Sequence, residues 1–313
     1  MGNLVLLGNT GILVSPLGLG TWQWGDRMIW SYGKSHTDAD IRGAFRASLD
    51  AGITLIDTAE VYGGGRSERL LGECLPTAGR PLVVATKFMP FPWRLRKNRL
   101  PSSLRASLAR LRLDRVDLYQ IHWPFPPRAV EVWADGLADA VEAGLTRAVG
   151  VSNYSAAQMY RAHTVLSRRG VPLASNQVEY SLLNRKVERN GVLERCRELG
   201  VTLIAYSPLA KGMLTGKYTP DHPPQGMRTR MFRRERLEEI QPLIGLLREM
   251  GATHGDRTPA QVALNWLLRK GVVPIPGAKN ARQAADNGAT LGWRLSDEAV
   301  AALDKASRVV AHL

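Results

Sequence analysis

Short apolar runs alternate along the chain with longer segments in which apolar residues recur every three or four positions. The short runs are rich in β-branched and aliphatic residues, which is typical of buried parallel strands. The longer segments have the spacing of amphipathic helices. We predict eight strands in this series, at residues 17–20, 53–57, 82–87, 116–122, 146–152, 174–178, 202–207 and 272–276.

Amphipathic helices are predicted between these strands, and several carry signals at their ends. Thr37 and Asp38 precede the first as candidate caps, and Pro101 stands in the first turn of the next. The predicted helices cover residues 41–49, 102–111, 130–142, 156–167, 187–199, 259–270 and 281–289. Five of them are followed by a glycine that can end the helix in the left-handed conformation, namely Gly52, Gly144, Gly170, Gly200 and Gly271.

The repeated strand–helix order predicts an α/β fold of parallel strands with right-handed crossovers. Eight such units close into a (β/α)8 TIM barrel, and residues 1–313 are predicted to form this one domain. An open doubly wound sheet is the alternative. It is disfavoured because the nearest match to a dinucleotide-binding glycine motif, at residues 18–21, is not followed directly by a helical pattern.

Two segments extend the simple barrel. Residues 4–7 and 12–14, separated by a turn at 8–11, predict an N-terminal β-hairpin that covers the barrel floor. Residues 207–258 are longer than an ordinary connection, and in them Pro220, Pro223 and Pro224 are followed by a helical pattern near 235–250. Long loops and extra helices after a late strand are typical of a lid or a binding loop.

Composition excludes some classes of protein. The chain carries a formal charge of +14, with basic clusters at 94–99 and 228–236, but neither cluster lies in a nucleic-acid-binding motif and we expect no nucleic-acid partner. Cys74 and Cys196 lack the paired spacing of a disulfide framework or a zinc site, so we expect no metal. No leader or membrane-spanning stretch is evident, which predicts a cytoplasmic protein without a membrane partner. The sequence gives no oligomeric state.

Ionisable side chains follow three successive predicted strands. Asp57 ends the second strand and Tyr62 follows it, Lys87 ends the third, and His122 ends the fourth. Because the carboxyl ends of parallel strands meet at one edge, we expect these four groups to converge. They suit carbonyl reduction, in which Tyr62 donates a proton and Lys87 lowers its pKa. Asp57 would supply the counter-charge of Lys87, and His122 would orient the carbonyl.

The residues around these positions extend the pattern over the whole chain. They read GLGTW at 18–22, DTAEVYG at 57–63, ATK at 85–87, QIHW at 120–123, GVSNY at 150–154, NQV at 176–178 and AYSPL at 205–209. In this order they resemble the aldo-keto reductases, in particular the bacterial and plant branch related to potassium-channel β-subunits. The resemblance implies a catalytic tetrad of Asp57, Tyr62, Lys87 and His122, and NADP(H) bound across the carboxyl face of the barrel.

The resemblance also implies the cofactor-binding residues. Ser152, Asn153 and Gln177 correspond to those that bind the nicotinamide carboxamide, and Tyr206 to the aromatic residue that stacks on its ring. The first strand, the tetrad and the loop after Tyr206 add Gly20, Thr21, Trp22, Asp57, Ser207, Pro208, Leu209, Gly212 and Lys217.

The adenosine end is implied at Gly277, Lys279, Gln283 and Asn287, with Lys279 at the 2′-phosphate. Here Gln283 replaces an arginine of the best-known pattern. Arg282 is adjacent and could supply a second cation, although neighbouring helical residues point about 100° apart.

Function is then expected to be NADPH-dependent reduction of an aldehyde or ketone. One alternative is an NADP(H)-binding regulatory subunit, since channel β-subunits share these motifs. Another is a Schiff-base aldolase with Lys87 as nucleophile, which the cofactor motifs disfavour. The small-molecule carbonyl substrate is expected to contact a largely aromatic pocket of Trp22, Trp24, Trp30, Tyr62, Phe88, Trp93, His122 and Trp123. Arg94 and Arg96 leave an acidic or phosphorylated substrate open.

Overall fold

Eight parallel strands follow an antiparallel hairpin in this computed structural model, which describes residues 4–224 and 232–310. The hairpin consists of β1 (Val5–Leu6) and β2 (Leu13–Val14). The parallel strands are β3 (Gly18–Gly20), β4 (Leu55–Asp57), β5 (Val83–Phe88), β6 (Val116–Ile121), β7 (Thr146–Ser152), β8 (Leu173–Glu179), β9 (Thr202–Tyr206) and β10 (Val273–Pro274). Their order in the sheet follows the chain, as the strand–helix alternation predicts.

The two edges of this sheet meet. A parallel bridge pairs Gly20 with Gly277, and the Gly20 amide donates to the Pro276 carbonyl at 3.1 Å. The predicted (β/α)8 barrel is thereby confirmed.

Helices surround the strands. They are α1 (Asp38–Asp50), α2 (Arg66–Cys74), α3 (Arg99–Leu111), α4 (Val130–Glu142), α5 (Ala156–Arg168), α6 (Lys186–Arg189), α7 (Val192–Glu198), α8 (Arg234–Thr253), α9 (Pro259–Arg269), α10 (Ala281–Gly288) and α11 (Asp297–Val310). The five glycines predicted to end helices all have positive φ, which confirms that prediction. Thr37 caps α1 through a reciprocal pair of hydrogen bonds with Asp40, whereas Asp38 is already helical.

The helices differ from the prediction at three places. The predicted helix at 187–199 is two helices, because Gly191 adopts φ 76° and interrupts the hydrogen-bonded turn between α6 and α7. Helices α2 and α11 were not predicted. Helix α2 begins directly after a run of three left-handed glycines at 63–65, which hides its start from a pattern of apolar residues.

The hairpin lies where it was predicted, against the floor of the barrel. Leu7 and Val14 pack into the same apolar cluster as the inward-facing Leu55 and Leu118. The Gly8 amide donates to Thr202 Oγ1 at 2.7 Å, which ties the hairpin to the start of β9. The barrel interior is therefore apolar at this end.

The basic clusters form ion pairs on the protein itself. Arg94 contacts Glu60 at 2.5 Å, and Lys97 contacts Asp135 at 2.5 Å. Arg234 contacts Glu238, while the part of the second cluster at 228–231 lies outside the described residues. No helix within residues 4–224 and 232–310 has the length and hydropathy of a membrane span.

Candidate active site

Three neighbouring strands bring the four ionisable groups together. Asp57 is the last residue of β4, Lys87 lies near the end of β5, and His122 follows β6 with its amide bonded to the Phe88 carbonyl at 2.8 Å. Tyr62 opens a 3₁₀ turn after β4. The next residue, Gly63, has φ 55°, and a Cβ there would lie 2.7 Å from the Gly25 backbone. A glycine is therefore required for the turn that presents Tyr62.

Lys87 is the centre of this group. Its Nζ donates to Asp57 Oδ2 at 2.5 Å, to the Thr58 carbonyl at 2.8 Å and to Tyr62 Oη at 3.2 Å. The lysine side chain is fully buried and that of Asp57 is 3% exposed. A buried ammonium is tolerated only when it is paired and hydrogen-bonded, and here all three of its donors have acceptors.

The electrostatics of the pair favour a charged lysine. Burial lowers the pKa of Lys87, but the negative charge of Asp57 and the contacts with Asp57 and Tyr62 outweigh it, so that the pKa is raised above its ordinary value. The ammonium is therefore retained at neutral pH although it is cut off from water.

The expected lowering of the Tyr62 pKa is not what the structure shows. Burial raises the pKa of Tyr62, the charge of Lys87 lowers it, and the charge of Asp57 raises it again. The net direction is upward, because loss of water around the phenolate outweighs the nearby ammonium. Tyr62 is consequently a protonated phenol at neutral pH.

His122 stands edge-on to the Tyr62 ring, with ring centroids 5.6 Å apart. Burial, and secondarily the charge of Lys87, hold the pKa of His122 well below 6.5. Its Nδ1 is buried and accepts or donates no hydrogen bond within the described part of the chain. The imidazole is thus neutral, and it can donate a hydrogen bond to a ligand or accept one from it.

A neutral His122 has a measurable consequence. We expect kcat to be flat between about pH 6 and pH 8, because this histidine does not change charge in that interval. A pH profile of wild type beside His122→Asn checks this. A break near pH 6.5 that disappears in the variant would contradict it.

A cavity of about 900 Å³ opens above the tetrad. Asp57, Tyr62 and His122 line it, whereas Lys87 lies beneath them and reaches it only through its partners. The cavity extends from the ends of β3 and β4 past β7, β8 and β9 to the loop before α10. Every residue predicted to bind the cofactor lines it: Gly20, Thr21, Trp22, Asp57, Ser152, Asn153, Gln177, Tyr206, Ser207, Pro208, Leu209, Gly212, Lys217, Gly277, Lys279, Gln283 and Asn287.

The model of the Aldo/keto reductase family matches residues 16–308. The chain belongs to the aldo/keto reductase family. A chloroplastic pyridoxal reductase of Arabidopsis thaliana is 43% identical over 309 residues, covering 94% of this chain and 84% of that protein. The aldo-keto reductase YhdN of Bacillus subtilis is 33% identical, with 93% and 89% covered. A glycerol dehydrogenase structure from Gluconobacter oxydans is similar with a TM-score of 0.85 and 30% identity, covering 98% and 96%.

The predicted resemblance is thus confirmed, and the protein is an oxidoreductase of a family that generally uses nicotinamide cofactors. In this reductase Asn153 has a backbone φ of 62°, and its side chain is hydrogen-bonded to other residues of the protein. Its Nδ2 donates to the His122 carbonyl at 3.0 Å, and its Oδ1 accepts from Tyr206 Oη at 2.9 Å. Residues at the carboxyl ends of β6, β7 and β9 are thereby held together in one wall of the cavity.

The loop after β9 supplies cations and unusual backbone. Ser207, Ala210 and Lys211 have positive φ although none is glycine, and Gly212 follows at φ 106°. Non-glycine residues in this region cost of order 1–3 kcal/mol each and cluster at ligand sites. Lys211 and Lys217 both line the cavity.

The adenosine end of the reductase is formed by the loop before α10 and the start of that helix. Lys279 Nζ donates to the Trp30 carbonyl at 2.9 Å, and the Lys279 amide donates to Gln283 Oε1 at 3.0 Å. Arg282 and Gln283 both line the cavity. Their angular separation on the helix therefore does not keep the arginine out of the cavity wall.

Five of the eight predicted pocket residues line the cavity, and three do not. Trp22, Trp30, Tyr62, His122 and Trp123 are in the lining, with Trp22 and Trp30 in edge contact at 5.5 Å.

The other three residues lie outside the cavity lining for separate reasons. Trp24 is fully buried and its indole donates to the Ala278 carbonyl at 3.0 Å. Phe88 faces the helices and packs on Trp133, because it follows the inward-facing Lys87 on a strand. Trp93 is 73% exposed and stacked on Phe91.

Sequence reasoning missed several residues of the lining. Most follow barrel strands or begin a nearby helix, so proximity to a strand end was the available signal. They are Gln23, Val61, Glu179, Lys211, Thr215, Thr258, Ala260, Ile275, Pro276 and Asp286.

Proposed function

We propose that this reductase transfers hydride from NADPH to an aldehyde or ketone while Tyr62 protonates the carbonyl oxygen. The observation that carries the proposal is the buried chain Asp57–Lys87–Tyr62, which ends on a phenol at the cavity. A chain with this geometry holds one proton at a defined atom and stabilises the phenolate once the proton has left.

The four residues divide the work on the substrate. Tyr62 is protonated at neutral pH and donates from Oη to the carbonyl oxygen. Lys87 stabilises the charge that develops on Tyr62, and Asp57 keeps Lys87 charged. His122 is neutral and hydrogen-bonds the same oxygen, which orients the carbonyl.

The cavity fits a phosphorylated dinucleotide. Lys211, Lys217, Lys279 and Arg282 line it, and such cations suit a diphosphate and a 2′-phosphate. When bound, the reduced nicotinamide supplies the hydride. We assign Ser152, Asn153 and Gln177 to its carboxamide, Tyr206 to its ring, and the loop of Ser207, Leu209, Gly212 and Lys217 to the diphosphate.

Lys279 is assigned to the 2′-phosphate, which makes cofactor preference a test. We expect Lys279→Met to bind NADPH about 10- to 100-fold more weakly and NADH almost as before, since a charge-assisted contact contributes about 1.5–3 kcal/mol. Fluorescence titration of both cofactors measures this. Lys305→Met, on the exposed face of α11, is the matched control. Equal losses for the two cofactors would contradict the assignment.

The pocket favours a carbonyl attached to a flat ring. Trp22, Trp30 and Trp123 line the cavity, and the ring centroids of Trp22 and Tyr62 are 6.5 Å apart. Aromatic walls of this kind bind planar ligands by stacking and edge contacts. Because a relative at 43% identity is a pyridoxal reductase, pyridoxal is the first substrate to test.

The deciding experiment follows NADPH oxidation by its loss of absorbance, with a panel of carbonyls as substrates. Pyridoxal and other aromatic aldehydes are compared with aliphatic aldehydes, quinones, steroids and keto-sugars. We expect turnover with ring-bearing aldehydes and little with keto-sugars. Tight NADPH binding without oxidation by any carbonyl would instead support a regulatory role.

A further inference from the structure

Gln120 is a fully buried amide on the inner wall of β6, two positions before His122. Side chains alternate between the faces of a strand, so Leu118, Gln120 and His122 all point into the barrel. Leu118 belongs to the apolar cluster above the hairpin. Gln120 therefore lies where the apolar filling of the barrel gives way to the polar layer under the active site.

Both ends of the Gln120 amide are hydrogen-bonded. Its Nε2 donates to Asp57 Oδ1 at 3.3 Å, and its Oε1 accepts from Ser175 Oγ at 3.2 Å. Strand register puts Gly150 between Gln120 and Ser175. A Cβ at Gly150 would lie 2.3 Å from Ser175 Oγ and 3.1 Å from Gln120 Cγ. The glycine leaves the space that these two side chains occupy.

With these contacts, both carboxylate oxygens of Asp57 are hydrogen-bonded. Its Oδ2 accepts from Lys87, while its Oδ1 accepts from Gln177 Nε2 at 2.8 Å as well as from Gln120. A carboxylate can turn about its terminal bond unless both oxygens are held. Two amide donors on Oδ1 keep Oδ2 directed at the Lys87 ammonium.

The two amides differ in what else can reach them. Gln177 lines the cavity and is assigned to the nicotinamide carboxamide, so a bound cofactor competes for it. Gln120 is absent from the cavity lining and contacts protein alone among the described residues. Its bond to Asp57 persists when Gln177 turns to a ligand.

We propose that Gln120 is a positioning residue, which anchors Asp57 Oδ1 from beneath so that Lys87 keeps its carboxylate partner while the cofactor engages Gln177. The catalytic consequence rests on the proposed function. The effect on the Lys87–Asp57 pair requires a bound cofactor but no substrate, so it can be measured without turnover.

The first test compares Gln120→Met with Ser175→Ala, after circular dichroism shows that both are folded. Titration of the Lys87 side chain is followed by NMR with ¹³C-labelled lysine at saturating NADP⁺, so that the cofactor engages Gln177, and Lys87→Met assigns the signal. Because Asp57 is what raises the pKa of Lys87 against burial, we expect Lys87 in Gln120→Met to titrate at lower pH. Ser175→Ala keeps the amide donor and should titrate close to wild type. An unchanged titration in Gln120→Met overturns the proposal.

The second test is kinetic. We expect Gln120→Met to lower kcat about 10- to 100-fold with the Kd of NADPH unchanged, and to move the alkaline limb of the pH profile to lower pH. If Gln120 were merely structural, the substitution would lower thermal stability and leave the alkaline limb in place. That result would also overturn the proposal. Absence of NADPH oxidation by wild type contradicts the proposed function instead, and the Lys87 titration then decides the role of Gln120.

Discussion

Lys87→Met is expected to abolish carbonyl reduction and to destabilise the fold. In the proposed mechanism the change removes the cation that stabilises the Tyr62 phenolate, so kcat should fall by about 10²-fold to 10⁴-fold. It also leaves the Asp57 carboxylate buried without its counter-charge. Breaking such a pair lowers the free energy of unfolding by about 3–5 kcal/mol. Steady-state kinetics and urea denaturation measure the two effects.

A second substitution separates the loss of activity from the loss of stability. In Lys87→Met with Asp57→Asn, no charge is left unpaired, so much of the lost stability should return while activity stays absent. Recovery of turnover in the double variant would show that Lys87 acts only through the fold.

The Lys87–Asp57 pair also sets the response of wild type to alkali. The pKa of Lys87 is raised above 10.5 in the folded protein, so its contribution to stability is complete below about pH 10.5. That contribution is lost as the pH rises through the folded pKa.

Tyr62→Phe should remove reduction and leave cofactor binding intact. In the proposed mechanism the phenol donates the proton, and general acids of this kind contribute about 10²-fold to 10⁴-fold to kcat. Among residues 4–224 and 232–310 its hydroxyl makes one hydrogen bond, from Lys87 Nζ at 3.2 Å, so the loss of stability should stay at about 1 kcal/mol. Stopped-flow single turnovers at saturating NADPH measure the chemical step.

Tyr160→Phe is the matched control for that variant, because this tyrosine is 52% exposed on α5. It should keep wild-type rates. Unchanged single turnovers in Tyr62→Phe would assign the proton donor to another group, whereas a loss of NADPH binding would show that the ring is needed for the cavity itself.

The fold could be predicted because strands and helices differ in period. Apolar runs placed all eight barrel strands, and β7 was predicted with its observed bounds. The interruption at Gly191 was missed because the apolar spacing continues across it. Glycine at 191 can continue a helix or break it, and only packing decides which.

The convergence of the four ionisable groups followed from strand order, but their protonation did not. Sequence places Lys87 beside Tyr62 and so suggests a lowered phenol pKa. The extent of burial appears only in three dimensions, and it reverses the direction. The positions of Trp24 and Trp93 were missed for a similar reason, since a tryptophan in a loop can face the core, the cavity or solvent with equal local propensity.

The seam of the barrel lies under the cavity. Gly20 and Gly277 join β3 to the segment after β10, and a Cβ at Gly20 would lie 2.8 Å from the Ile275 carbonyl oxygen. Both glycines line the cavity. A dinucleotide bound in that cavity as proposed would contact the first barrel strand and the segment after the last one together, and would oppose their separation. Resistance to proteolysis should therefore rise with cofactor concentration even when no substrate is present.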